Sequence, residues 1–204
     1  THILSGTPLP ANPVAISFDD NYSGEVWFGA PLLTTRNMPG TIFVVTNFAG
    51  VVTGTGPHGT WSELSAADNL GVQTQSHTLN HNNLSSVAEA SAFSETSSSK
   101  RAVEVNLNKI CKFFAYPNGA DTFTSSSFSP RATIPTMTGQ AGYVGSFSYA
   151  GGYSSRTTPI HNLARVSMSG DDTLNQFKTK IGFAGSRITT DPYIVNNDGN
   201  GDGT

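Results

Sequence analysis

The sequence predicts an α/β fold. Segments with strand character alternate with segments with helix character along the chain. The apolar runs are short, of strand length, and polar clusters follow them directly. Such alternation implies βαβ units around a parallel sheet. Sheets of that kind carry their working residues just beyond the C-terminal strand ends. The 204 residues suit one domain with one large core, which we place at 1–190, followed by a polar tail at 191–204.

Pro13–Phe18 is an apolar run that stops at Asp19 and Asp20, the pattern of a buried strand. Tyr22–Thr35 reads as a helix weakened by Gly24 and Gly29. Asn37–Gly40 is a turn, Thr41–Thr46 a β-branched strand, and Gly50–Thr60 a Gly/Thr loop. Thr60 with Glu63 has the spacing of a capping box, so a helix starts at Trp61 and ends near Asn69–Gly71. Val72–Ser76 is a strand, with His77-x-x-x-His81 at its end. Ser85–Asn108 is mostly helix, with Glu95, Lys100 and Glu104 expected on its outer face. Lys112–Tyr116 is a strand ending at Pro117-Asn118-Gly119. Gly142–Phe147 and Asn162–Met168 are late strands, and Leu174–Ile181 a late helix.

Composition removes several classes of function. The net charge of −3 excludes a binder that relies on a basic patch for nucleic acid. No apolar run is long enough to span a bilayer. The single cysteine, Cys111, has no internal disulfide partner and reads as a buried structural thiol. Charged residues are only 12% of the chain, with Ser, Thr, Asn and Gly in their place. That balance leads us to expect a secreted or cell-surface protein whose signal peptide is removed before this numbering begins. Asp198–Gly203 matches the opening of a calcium loop without its late bidentate Glu. Two readings stay open for it: a polar linker, or the start of a truncated calcium-binding repeat leading to further modules.

Three motifs stand at strand ends: Asp19-Asp20, His77-x-x-x-His81 and Tyr116-Pro117-Asn118-Gly119. Taken singly, the acids suit helix caps and the histidines suit surface positions. Together, one Asp and two His form a recurrent ligand set for catalytic Zn²⁺ and related ions. A second Asp beside such a centre is what a general base requires.

These motifs resemble the first three of the polysaccharide deacetylases, the NodB-homology enzymes of carbohydrate esterase family 4. The residues concerned are Ile16-Ser17-Phe18-Asp19-Asp20, His77-Thr78-Leu79-Asn80-His81 and Phe113-Phe114-Ala115-Tyr116-Pro117-Asn118-Gly119. Pro39–Val44, Trp61–Leu64 and Leu163–Val166 extend the likeness in the family's order. The resemblance implies a distorted (β/α) barrel with fewer than eight regular strands. It implies removal of acetyl groups from N-acetylated glycans of chitin or peptidoglycan type, or from O-acetylated xylan. It implies one divalent ion, Zn²⁺ first and Co²⁺ or Ni²⁺ next, on Asp20, His77 and His81. By the same resemblance Asp19 is the general base, and backbone N–H groups near Tyr116 and Asn118 hold the oxyanion.

The sequence departs from the family pattern in places. Asn21 replaces the usual Gly after the acids, and Asn tolerates a left-handed turn. Ala115 stands where many members have Arg, so Arg165 in the last predicted strand becomes the candidate to orient Asp19. The late His that serves as general acid is not evident; His161 and His58 are the candidates. Tyr149 and Tyr153 flank a Gly-Gly pair and are candidate sugar contacts, whereas Trp61 and Tyr143 read as packing residues. Two other functions stay open: a metal amidohydrolase acting on small-molecule amides, and a non-catalytic carbohydrate-binding module on the same fold.

Overall fold

Strand segments rich in apolar and uncharged polar side chains suit a parallel sheet covered on both faces. In the computed structural model, residues 14–119, 133–149, 152–155 and 157–182 are described, together with the strand at 193–197. The strands are β1 (Val14–Asp19), β2 (Gly40–Val44), β3 (Val52–Thr53), β4 (Gly56–Pro57), β5 (Val72–Ser76), β6 (Phe113–Ala115), β7 (Gly145–Phe147), β8 (Val166–Met168) and β9 (Tyr193–Asn197). The helices are α1 (Ala30–Thr35), α2 (Trp61–Asn69), α3 (Glu89–Leu107), α4 (Ile134–Gln140) and α5 (Leu174–Lys180).

The seven-stranded main sheet has the order β7-β6-β5-β2-β1-β9-β8. Every pairing in it is parallel. Strands lie about 4.8 Å apart, so β2 and β7, three places apart, would be roughly 14 Å apart if the sheet were flat. Yet the rings of Phe43 on β2 and Phe147 on β7 have centroids 5.6 Å apart. The sheet is therefore strongly curled. Its open edges also meet: Leu163, ahead of β8, makes a parallel bridge with Phe147. The Ser148 N–H donates to the Leu163 carbonyl at 2.7 Å and the Leu163 N–H to the Ser146 carbonyl at 2.9 Å. This is the distorted barrel with fewer than eight strands.

The core lies between the strands and the helix layer. Ile42, Val44, Leu64, Val72, Val103 and Phe114 are fully buried there. Cys111 joins it, and burial pushes its thiol up to about 12, in keeping with a structural role. The predicted capping box is present on α2, from Thr60 to Glu63. Lys100 and Glu104 pair across one turn of α3, as the spacing predicts.

Several expectations are corrected. The stretch Tyr22–Thr35 is split: a π-helical turn, Glu25–Gly29, leads into α1. Gly29 suits the close packing there, because a Cβ would come within 3.1 Å of the Phe18 ring. The loop Gly50–Thr60 contains the small antiparallel hairpin β3–β4. Helix α4 lacked a sequence signal strong enough to predict it. The segment assigned to a polar tail at 191–204 contributes β9, which pairs with both β1 and β8 inside the sheet. The calcium-loop-like residues 198–203 lie outside the described residues.

Candidate metal and catalytic site

Asp19 ends β1, His77 follows β5 directly, and Ala115 ends β6. Parallel register brings these strand ends to one rim of the barrel. Arg165 reaches the same rim through the β7–β8 seam. Leu163 is level with Phe147 there, so Arg165 stands past the C-terminal end of β7.

Asp20 Oδ1 lies 3.5 Å from His77 Nε2 and 3.2 Å from His81 Nε2. The three donor atoms fall within 4.8 Å of one another. One carboxylate oxygen and two imidazole nitrogens at this spacing fit a divalent ion. Second contacts orient them. His77 Nδ1 donates to the Ala115 carbonyl at 2.8 Å, which leaves Nε2 as the free acceptor facing Asp20. Burial is the chief cause that pulls His77 down to about 4, so its ring is neutral, the form that ligates metal. His81 is 30% exposed, which leaves the cluster open on one side.

Asp19 does not join this triangle. Arg165 holds it as a fork: Nη1 donates to Oδ1 and Nη2 to Oδ2, each at 2.7 Å. Arg165 Nη1 also donates to Ser17 Oγ at 3.3 Å and Nε to the Ser148 carbonyl at 3.2 Å, while the guanidinium lies over the Phe43 ring. Both Arg165 and Ala115, the small residue that ends β6, are buried. Burial alone would raise the Asp19 carboxyl, but the Arg165 charge, with help from His77 and the hydrogen bonds, holds it below the usual carboxylate range. Asp19 is therefore an ionised, fixed carboxylate, 3.8 Å from His77 Nε2.

The turns that present the cluster carry strain. Asp20 (φ 77°), Asn21 (φ 51°), Thr78 (φ 72°) and His81 (φ 60°) are left-handed without being glycine. The cost is about 1–2 kcal/mol each at Thr78 and His81, and less at Asp20 and Asn21, whose short polar side chains suit this region. Their surroundings compensate. The Asn21 side chain, absent from a Gly, accepts from the Val45 N–H at 3.0 Å. His58 Nδ1 donates to the Asp20 carbonyl at 2.8 Å, and its Nε2 accepts from Thr53 Oγ1 at 2.9 Å. Thr78 Oγ1 accepts from the His81 N–H at 2.9 Å.

The remaining predicted residues fall elsewhere. His161 sits on the helix side of the sheet: its Nδ1 lies 3.2 Å from Ser146 Oγ and 3.3 Å from Thr138 Oγ1, and its ring packs beside Gly139. Ser146 points away from the barrel interior that Phe147 faces, so His161 is not directed at Asp19. His58 uses both ring nitrogens in holding the Asp20 turn. The Tyr116 side chain also faces the helix layer, donating to the His161 carbonyl at 2.8 Å. The Tyr116 N–H is committed to the Phe147 carbonyl at 2.9 Å. Pro117 has no N–H. Of the predicted oxyanion stretch, this leaves the Asn118 N–H as the candidate donor among the described residues, in a left-handed turn at φ 56°. Tyr153 is exposed and donates to the Lys180 carbonyl at 2.6 Å, and Tyr149 receives a bond from Ser167 at 3.2 Å.

Glu95 was missed. It is buried beside the His77–His81 loop, not on the outer face of α3. Its position among Ala92, Thr96 and Ser99, all buried on one face, was the available signal.

The polysaccharide deacetylase family profile matches residues 6–134, more than half of the chain. The chain belongs to the polysaccharide deacetylase family. No curated protein matches the sequence. Solved structures give the fold. The Streptococcus pyogenes deacetylase PplD, in complex with acetate, is 21% identical with a TM-score of 0.74, over 88% of this chain and 75% of its own. IcaB from Ammonifex degensii is 18% identical, with a TM-score of 0.65 over 85% of this chain and 74% of its own. A family 4 carbohydrate esterase from Streptomyces lividans, also with acetate, is 17% identical, with a TM-score of 0.58 over 92% and 79%. As a member of this family, the chain carries the fold and motifs of carbohydrate deacetylation.

Proposed function

We propose that the protein is a metal-dependent carbohydrate deacetylase, with one divalent ion, Zn²⁺ foremost, on Asp20, His77 and His81. The observation that carries the reading is the pairing of that cluster with an ionised Asp19 locked by Arg165. A bound ion would supply Lewis-acid polarisation of the acetyl carbonyl and a more acidic water. Asp19 accepts the proton of the attacking water. Arg165 fixes the direction of its lone pairs and keeps it ionised. The Asn118 N–H donates to the carbonyl oxygen as it gains charge. The exposed side of His81 is where a sugar chain enters, with Tyr149 and Tyr153 as the candidates for a sugar contact.

Neither His161 nor His58 is free to face a leaving group at this rim. We therefore assign the return of the proton to Asp19 itself, which gives up the proton it took. An alkoxide needs that proton less than an amine does, so acetyl esters are favoured over acetamides. We further propose that the protein is secreted or held at the cell surface, and that residues 1–190 with β9 form the catalytic unit. The test is acetate release from acetylxylan, chitin oligomers and peptidoglycan, before and after chelation and on return of Zn²⁺, Co²⁺ or Ni²⁺. Release that chelation abolishes and metal restores is expected. Chelation-resistant release, or release only from small-molecule amides, would overturn it.

A further inference from the structure

The His81 turn is strained, and a strained turn persists only where its surroundings over-determine it. From one side the 3-10 turn after β2 (Thr46–Phe48) holds it: the Thr46 N–H donates to the Thr78 carbonyl at 3.1 Å, and the Asn47 N–H to the Leu79 carbonyl at 3.0 Å. From the other side there is a single residue of α3. Glu95 Oε2 accepts from the backbone N–H groups of Leu79 (2.9 Å) and Asn80 (2.8 Å). Its Oε1 accepts from the side-chain amides of Asn80 and Asn82, both at 2.8 Å. The Asn80 amide oxygen in turn receives Asn47 Nδ2 at 2.6 Å, closing a chain from the turn after β2 through the loop to α3.

We propose that Glu95 is a positioning residue for the metal site: its buried carboxylate fixes the turn that sets His81 Nε2 against Asp20 Oδ1. The inference rests on the metal reading given above. The chemistry of the side chain fits the task. A carboxylate is acceptor-only and offers about four lone-pair sites, and here donors from residues 79–82 meet both oxygens. Gln would turn an amide NH₂ toward either the two backbone N–H groups or the two side-chain amides, donor against donor. Glu95 touches neither Asp20 nor the histidine rings in these contacts, so it acts through the loop alone.

The experiment uses the full chain and Zn²⁺ titrated by calorimetry, with amide hydrogen exchange on the metal-free protein. Glu95→Gln is expected to raise the Zn²⁺ Kd about 10–100-fold, the usual effect of losing a partner behind a ligand. Exchange should rise at Leu79 and Asn80 while the β5 amides keep their protection. In a His81→Ala background the same substitution should change Kd less than about twofold, because no second imidazole remains to be positioned. If Glu95→Gln does not fold, exposed Asn82→Ala carries the test, with a Kd rise of roughly 2–10-fold for one lost hydrogen bond. Wild-type binding with an unchanged Kd in the variants, or an equal loss in the His81→Ala background, would overturn the role of Glu95 alone. Absence of Zn²⁺ binding by the wild type would overturn the metal reading and this inference with it.

Discussion

Asp19 and His81 stand at the same rim of the barrel but are placed by opposite means. Asp19 is the last residue of a strand paired on both sides, and its side chain is locked by an arginine 146 positions away in sequence. His81 lies on a loop, at positive φ, and is held by hydrogen bonds to neighbouring loops and one helix. Strand register thus fixes the proposed base. Polar side chains fix the exposed member of the proposed ligand set. The first device tolerates little change, because the pair is buried; the second can be weakened one bond at a time.

The sharpest way to break the contrast is Asp19→Asn. The shape is kept and the cluster of Asp20, His77 and His81 is untouched, so Zn²⁺ should still bind. Turnover should fall about 10²–10⁴-fold, measured as acetate release at saturating metal. Near-full activity with normal metal loading would remove Asp19 from the base role.

Arg165→Met comes next, because it leaves a buried carboxylate unpaired. Breaking such a pair by removing one partner typically costs about 3–5 kcal/mol, read by urea denaturation. Turnover should drop more than metal affinity does. Asp19 loses the charge that keeps it ionised, so the acidic limb of the pH–rate profile should move up. An unmoved limb would mean that Arg165 only packs.

A smaller effect concerns pH and the metal-free protein. His77 titrates near 4 when folded against 6.5 when exposed. Between those values the unfolded chain binds a proton that the folded chain refuses. Stability is therefore full above about 6.5 and falls as pH drops toward 4, by at most about 1.4 kcal/mol per pH unit. Asp19, whose folded value is depressed, adds a further loss below 3.8. Chemical denaturation at a series of pH values in chelator should trace this, and His77→Asn should remove the upper part.

The smallest expected effect is at His161. Its ring faces Ser146 and Thr138 on the helix side, so His161→Gln should change kcat less than about twofold. A hundredfold loss with unchanged stability would restore it as the general acid.

What was legible in the sequence divides along the same line. Strand ends announce themselves, since an apolar run that stops at Asp19-Asp20 and an alternating strand that stops at His77 mark the rim, and Ala115 in an arginine position pointed to Arg165. The loop's support was not legible. Glu95 looks like an outward member of a charged helix face, and only the packing of α3 against the His77–His81 loop turns it inward. The direction of His161 depended on which side of β7 it meets, and the chain returns there through a seam that no periodicity signals. β9 was hidden because its Asn196 and Asn197 read as polar tail.

The central claim is that Asp20, His77 and His81 hold one catalytic ion. Calorimetric titration of chelator-stripped protein with Zn²⁺, for the wild type and His77→Ala, tests it most directly. The account predicts one ion per chain in the wild type, with affinity strongly reduced in His77→Ala while the fold is retained. Binding that survives His77→Ala unchanged, or no binding by a fully active wild type, would contradict it.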